Sequence, residues 1–143
     1  MTRYITEQDM KELCHELAVA LFDKYDEPIP PFELHEPGKL KAILANPMQT
    51  FGGSELYPTL NEKATILYYG LIKGHAFGNG NKRVATATLL VFLFINHYWM
   101  DISKSDLEKR AINTAESDPA DMKNVINDLL HWIDVHRIDL PSA

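Results

Sequence analysis

His75-Ala-Phe-Gly-Asn-Gly-Asn-Lys-Arg83 runs directly into Val84-Ala-Thr-Ala-Thr-Leu-Leu-Val-Phe-Leu-Phe-Ile95, and these adjoining segments determine the predicted architecture. The second segment is apolar on nearly every side when it is placed on a helix. Such a helix has no polar face to turn toward water, so other elements must surround it. The sequence therefore predicts an all-α bundle around a buried central helix that runs from Asn81 to about His97.

Apolar spacing and capping signals predict the helices that surround this centre. They are expected to run from Thr6 to about Tyr25, over two turns around Leu40, Ile43 and Leu44, from Thr59 to Gly70 or Leu71, from Ser105 to about Thr114, and from Asp118-Pro119 onward. Asn46-Pro47 is expected to end the second of them, because the residue before a proline avoids helical geometry. The proline-rich segment 26–36 is predicted to be an irregular connection.

One segment departs from the helical pattern. Between Met48 and Pro58, the stretch Phe51-Gly52-Gly53-Ser54 has the glycine content of a tight hairpin turn between two short extended segments. The length of the chain suits one hydrophobic core, and residues 1–143 are predicted to form a single domain. The predicted fold is a compact helical bundle with a buried central helix and a short β-like flap.

The composition of the chain argues against two classes of partner, nucleic acid and membrane. A net charge of −6 and a pI near 5.4 argue against a general affinity for nucleic acid, which depends on a broad basic surface. The longest apolar run, Leu89 to Ile95, is far shorter than the ~20 residues that span a bilayer. Cys14 is the only cysteine, which excludes an intrachain disulfide and favours a reducing compartment. We therefore expect a cytoplasmic protein that binds neither nucleic acid nor membrane.

The loop before the central helix combines a base with the means to hold an anion. The imidazole of His75 can accept a proton from a hydroxyl group. Gly78 and Gly80 allow the backbone to approach an anion closely. Lys82 and Arg83 add positive charge, and the N-terminus of the helix offers unpaired N–H groups. This combination predicts a phosphate held beside a proton acceptor.

The charges around this helix start predict that the anion is a ligand. Asn81 is expected to cap the helix through its side-chain oxygen, which places Lys82 and Arg83 in the first turn. Cations are unfavourable there because the helix dipole is positive at its N-terminus. No Asp or Glu occurs between Glu62 and Asp101 to compensate them.

The nine residues 75–83 resemble the motif of the Fic/Doc family, in its Doc-type form His-x-Phe-x-(Asp/Asn)-(Ala/Gly)-Asn-Lys-Arg. The match has no gap, and a more diffuse likeness extends from roughly Ile5 to Val135. The resemblance implies a toxin of the "death on curing" group that uses ATP and Mg²⁺ to modify a hydroxyl side chain of another protein. It also implies elongation factor Tu as the target.

The resemblance assigns a role to each position of the motif. His75 is the implied general base, and Phe77 is the implied packing residue that fixes the loop. Lys82 and Arg83 are the implied charge-stabilising catalytic residues. The implied nucleotide- and phosphate-binding residues are Gly78, Asn79, Gly80, Asn81, Lys82 and Arg83. Family members that transfer AMP have a glycine at the position of Lys82, so the lysine favours transfer of the terminal phosphate over transfer of AMP.

Asn79 departs from the usual pattern of the family. Fic proteins and many Doc proteins have an acid at this position, where it holds magnesium. Asn79 offers only a neutral carbonyl oxygen, so it is expected to be a weak ligand that depends on the phosphates of ATP. An AMP transferase and a degenerate nucleotide- or protein-binding module therefore remain the alternatives to a kinase.

The resemblance also bears on partners. Some Fic proteins contain an inhibitory helix with the pattern Ser/Thr-x-x-x-Glu-Gly/Asn, and no Ser or Thr of this chain has a Glu four residues later. A separate antitoxin polypeptide is therefore expected. The resemblance implies that the segment 48–58 is a flap that pairs with the target, and a mobile loop is the alternative. His131 and His136 lack the spacing of a helical zinc pair, so no structural zinc is expected.

Overall fold

The computed structural model describes residues 1–24 and 26–141. Helix α1 (Glu7–Asp9) continues through a π-helical stretch, Met10–Cys14, into α2 (His15–Phe22). The remaining helices are α3 (Pro37–Ala45), α4 (Leu60–Lys73), α5 (Asn81–Ile95), α6 (Lys104–Glu116) and α7 (Met122–His136). Short 3-10 turns occupy Phe32–Leu34, Asn46–Met48 and Pro119–Asp121.

Helix α5 is the buried centre of the bundle, which confirms the predicted all-α class and its central helix. It packs against α2, α4 and α6, and α4 packs in turn against α3 and α7. Every residue of α5 from Val84 to Leu93 is buried. The helix ends at Ile95, where Asn96 accepts a hydrogen bond from the Arg3 amide at 2.8 Å and donates one to the Arg3 carbonyl at 2.9 Å. The start of the chain therefore closes the far end of α5.

The first helix begins at its predicted residue and ends early. Thr6 and Asp9 form a reciprocal capping box. The predicted end near Tyr25 lies outside the described residues, and the helix stops at Phe22. Its C-cap residue, Asp23, has extended backbone, and its carboxylate accepts a hydrogen bond from the Ile29 amide at 2.7 Å. This bond ties the proline-rich segment to the end of α2.

Helix α4 is longer than predicted because its glycines serve packing and not termination. The capping box of Thr59 and Glu62 opens the helix as expected, but the helix continues past Gly70 to Lys73. Gly70 and Gly74 both face Ile43 of α3. A Cβ atom at Gly74 would lie 2.6 Å from the Ile43 Cδ1 atom and 2.7 Å from the Gly70 carbonyl oxygen. The glycines therefore allow α3 to lie close against the end of α4.

Among the residues that the structure describes, two short antiparallel ribbons accompany the helices. The predicted hairpin is present: β1 (Thr50–Phe51) pairs with β2 (Ser54–Glu55), and Gly52 and Gly53 form the turn with φ values of 60° and 83°. The second ribbon, β3 (Tyr98–Met100) with β4 (Arg137–Asp139), was not predicted. Its strands are too short to give a periodic signal, and its partners lie far apart in the sequence.

The described part of the chain contains no helix that combines the length and the hydrophobicity needed to cross a bilayer. Cys14 is buried in the core, and desolvation raises the pKa of its thiol to about 12. The thiol is therefore neutral and packs as a small apolar side chain.

The contact between Gly74 and Ile43 yields a stability prediction. Gly74→Ala should lower the free energy of unfolding by about 1–3 kcal/mol, because the added methyl overpacks a filled site. Gly38→Ala is the matched control, since nothing lies within 4 Å of a Cβ at that helical position. The control should raise stability by about 0.4–1 kcal/mol. Urea denaturation measures both, and equal stabilities for the two variants would contradict the packing role of Gly74.

Candidate active site

The motif lies in the loop between α4 and α5, and both ends of the loop are fixed. The Lys73 ammonium at the end of α4 donates to the Ala115 carbonyl at 3.1 Å and to the Ser117 carbonyl. The Gly74 amide donates to the Gly70 carbonyl at 2.8 Å and completes the last turn. The end of α4 is therefore tied to the end of α6, and the loop starts from a defined point.

His75 directly follows the C-cap residue of α4 and has a φ of 52°. The left-handed conformation is usual at this post-helical position, although glycine most often occupies it. The residue is exposed, and its Nδ1 atom lies 3.4 Å from the Asn81 amide nitrogen. The end of one helix thus aims an accessible imidazole at the start of the next.

Asn81 closes the loop from inside. Its buried side-chain oxygen accepts a hydrogen bond from the Phe77 amide at 2.9 Å, and its amide group donates to the Gly78 carbonyl at 2.5 Å. The prediction that Asn81 caps α5 is therefore wrong, because its side chain is already engaged with the loop behind it. Gly80 occupies the N-cap position and has no side chain with which to cap the helix. The first-turn N–H groups are left available to an anion.

Phe77 anchors the loop in the core. Its ring is buried among three other rings, with centroid distances of 6.3 Å to His15, 6.0 Å to Phe32 and 5.8 Å to His35. His15 Nε2 lies 2.7 Å from the Pro30 carbonyl oxygen, and His35 Nδ1 lies 2.6 Å from the Phe32 carbonyl oxygen. Both histidines therefore have packing and hydrogen-bonding roles.

The proline-rich segment forms the other wall of the loop. The Glu36 amide donates to the Ala76 carbonyl at 2.9 Å. A Cβ atom at Gly80 would lie 3.3 Å from both Ile29 and Pro30, so the small residue allows this close approach. Sequence patterns gave no sign of this contact, because the segment carries no motif of its own.

The two motif cations have different surroundings. Lys82 is exposed in the first turn of α5. Arg83 donates to the Asn79 carbonyl at 3.3 Å and to the Glu27 carbonyl, and its guanidinium lies 4.0 Å from the Asp23 carboxylate. The prediction that these cations meet no protein anion is therefore wrong for Arg83. The acid is Asp23 at the end of α2, which lies far from Arg83 in the sequence and was therefore not predicted.

A cleft of about 180 Å³ opens beside the start of α5. Residues Asn79 to Arg83 line one side, and Thr86 and Ala111 line another part of the wall. Glu27 and Glu108 also face the cleft, and no sequence signal pointed to them. The motif residues 79–83 therefore meet at one cleft, whereas His75, Phe77 and Gly78 are not among its lining residues. His75 lies next to this cleft, since its Nδ1 atom is 3.4 Å from the Asn81 amide nitrogen.

Asn79 is a weak magnesium ligand on its own. Asn79 contributes only a neutral amide carbonyl, whereas Mg²⁺ prefers one or two carboxylates plus phosphate oxygens. Within residues 1–24 and 26–141, no three His, Cys, Asp or Glu side chains are grouped so as to hold a metal ion.

Tyr68 lies behind the cleft with its hydroxyl in the core. Burial raises the pKa of this phenol, which keeps it neutral, and the nearby Thr86 and Thr114 side chains oppose part of that rise. Among the described residues, the hydroxyl has no hydrogen-bond partner. Tyr68 therefore contributes packing and not proton transfer.

The contacts of Asn81 yield a prediction about loop order. Asn81→Asp should lower the free energy of unfolding by about 1–3 kcal/mol, since it loses the donor to the Gly78 carbonyl and buries a charge. It should also weaken anion binding, because the carboxylate lies at the helix start that would receive the anion. Urea denaturation and calorimetric titration with ATP measure the two effects. Asn127→Asp, an exposed change on α7, is the control and should alter neither quantity.

Comparisons with known proteins show the family of the chain. The model of the Fic/DOC family matches residues 4–93, which include the whole motif. A curated protein from Mycolicibacterium smegmatis, named Toxin Doc, is 44% identical over 59 residues, covering 41% of this chain. The match spans only 45% of that relative's length, and no solved structure matches the chain. Because the family model matches more than half of the chain, the chain belongs to the Fic/DOC family.

Proposed function

We propose that this chain is a Doc-type toxin that transfers the terminal phosphate of ATP to a hydroxyl side chain of a target protein. The family and the relative named Toxin Doc support the general role. The observation that carries the choice of a phosphate is Lys82, exposed at the cleft in the first turn of α5. A glycine at this position, as in the AMP-transferring members, would leave room that the lysine fills.

The proposed reaction is a direct displacement. The target hydroxyl oxygen attacks the γ-phosphorus of ATP, and the bond from that phosphorus to the β–γ bridging oxygen breaks. The hydroxyl proton passes to the His75 imidazole, and ADP leaves. Exposure of His75 supports this role, because an incoming protein side chain must reach the base.

Charge stabilisation comes from the start of α5. The first-turn N–H groups and Lys82 face the position proposed for the phosphates, and fixed donors of this kind stabilise negative charge as it develops. Arg83 contributes charge from a more constrained position, held by the Glu27 and Asn79 carbonyls. Lys82 is therefore the more adaptable of the two cations.

The remaining parts of the proposal concern partners. ATP is expected to bring its own Mg²⁺, since Asn79 is a poor ligand on its own. Elongation factor Tu is the first target to test, and a cytoplasmic location follows from that target. A separate antitoxin polypeptide is the proposed restraint, and co-purification with the product of the neighbouring reading frame tests it.

A second candidate is a nucleotide-binding module without transfer activity. The neutral side chain of Asn79 favours it, because the acid at this position in other family members holds magnesium. ATP binding without turnover would distinguish this module from the proposed enzyme.

The role of His75 can be tested on elongation factor Tu incubated with ATP and Mg²⁺. The wild type should add phosphate to the target, and His75→Ala should slow the transfer by about 10²–10⁴-fold. His75→Asn is the sharper variant, since asparagine tolerates the left-handed backbone of this position. His97→Asn is the matched control, because His97 is also exposed and has a φ of 75°. Mass spectrometry of the target provides the measurement.

Each product identifies a different function. Addition of AMP would retain the family and contradict phosphate transfer. Absence of any modification, on this target and in a whole-cell extract, would favour the binding module. Equal loss in His75→Asn and His97→Asn would show that folding and not base chemistry is affected.

The position of Lys82 provides an independent test of phosphate against AMP transfer. Lys82→Gly should abolish phosphorylation and permit some AMP transfer, because it creates space and removes a charge. Lys82→Ala also removes the charge but opens less space than Lys82→Gly. It should therefore lose phosphorylation without gaining AMP transfer. Mass spectrometry separates the two products. Unchanged phosphorylation in both variants would contradict the proposal that Lys82 selects phosphate transfer over AMP transfer.

A further inference from the structure

An acid outside the motif contacts one of the cations that line the cleft. The Asp23 Oδ1 atom lies 4.0 Å from the Arg83 guanidinium, and Arg83 is one of the lining residues. The Arg83 side chain is only 16% exposed, so solvent screens this contact less than it screens a pair on the open surface. A carboxylate in this position repels a phosphate in the cleft. Its benefit to the site must therefore be something other than affinity for an anion.

The contacts of Arg83 fix the direction of its guanidinium. It donates to the Glu27 carbonyl and to the Asn79 carbonyl at 3.3 Å, and Asp23 approaches it from the end of α2. A guanidinium has five N–H donors, so these contacts leave others free for a phosphate. The proline-rich segment, the motif loop and α2 thus orient this side chain without any ligand.

The same carboxylate oxygen also orders the segment that packs on the start of α5. Asp23 Oδ1 accepts a hydrogen bond from the Ile29 amide at 2.7 Å. Ile29 and Pro30 lie so close to Gly80, the N-cap residue of α5, that a Cβ atom there would be 3.3 Å from each. Asp23 therefore acts on the proposed phosphate site by two routes, through its charge on Arg83 and through its hydrogen bond to Ile29.

We infer that Asp23 is a positioning residue that holds Arg83 in the orientation needed for phosphate transfer and, through its charge, weakens the binding of ATP. Donors that are fixed in advance stabilise the charge that develops in a transition state. A released Arg83 would instead follow the phosphates of bound ATP, and stronger binding of the ground state alone lowers kcat. This inference rests on the proposed function, since it assigns Arg83 to the phosphates of ATP.

Asp23→Asn separates the two routes, because its neutral Oδ1 atom can still accept from the Ile29 amide. The dissociation constant for ATP with Mg²⁺ should fall about two- to fivefold, and kcat for elongation factor Tu should fall by at least the same factor. The midpoint of urea unfolding should stay at the wild-type value. Asp23→Ala also loses the bond to Ile29, so its midpoint should fall.

Asp26→Asn is the matched control. It removes the same charge three residues away, from an exposed side chain that forms no ion pair among the described residues. Calorimetric titration and initial rates should give wild-type values for this variant. ATP binding that is unchanged or weaker in Asp23→Asn would overturn the inference. Tighter binding with unchanged kcat would also overturn it, because repulsion alone would then explain the effect.

The mobility of the Arg83 side chain gives a readout that does not depend on activity. Nitrogen-15 relaxation of its Nε–H group should show a lower order parameter in Asp23→Asn than in the wild type or in Asp26→Asn. Arg137 of β4, which donates to Asn61 at 2.9 Å, is the internal control and should not change. If the wild type modifies no protein, the proposed function fails, and relaxation alone decides whether Asp23 holds Arg83. Greater mobility of Arg83 would then support this contact, and equal mobility would refute it.

Discussion

The hydrogen bonds of the Asn81 side chain are the constraint on which the site depends. One buried amide group joins the Phe77 amide, the Gly78 carbonyl and the imidazole of His75. Gly78 and Asn79 are exposed, and without these bonds the loop would have many conformations. Each conformation would place the His75 imidazole differently. Because Asn81 is also the first residue of α5, the same side chain fixes the loop and the helix start that is proposed to bind the anion.

The residues that surround these hydrogen bonds come from distant parts of the chain. Phe77 reaches the rings of the first helix and the proline-rich segment, while Arg83 reaches the carbonyl of Glu27. The central position of α5 makes this convergence possible, since a helix surrounded on several sides places its N-terminus where several segments meet. The cleft is thus a product of the bundle and not of the motif alone.

Local signals explain what could be predicted from the sequence. The apolar α5, the capping boxes at Thr6 and Thr59 and the turn at Gly52-Gly53 each depend on neighbouring residues, and the structure contains all of them. Non-local contacts explain the rest. The ribbon β3–β4 joins strands from the two ends of a long segment, and Asp23 meets Arg83 across the bundle. Gly70 carried a local helix-ending signal, but packing against Ile43 overrode it.

His75 directly follows the C-cap residue of α4, so the orientation of its imidazole depends on the last turn of that helix. Helix ends fray more readily than helix centres, and a frayed last turn would release the left-handed conformation that orients the ring. The bonds from Lys73 to the carbonyls of Ala115 and Ser117 oppose this fraying. Loss of order at the end of α6 would therefore loosen the end of α4 and the imidazole of His75 that follows it. The activity of the proposed base would then depend on a helix that contributes no residue to the motif.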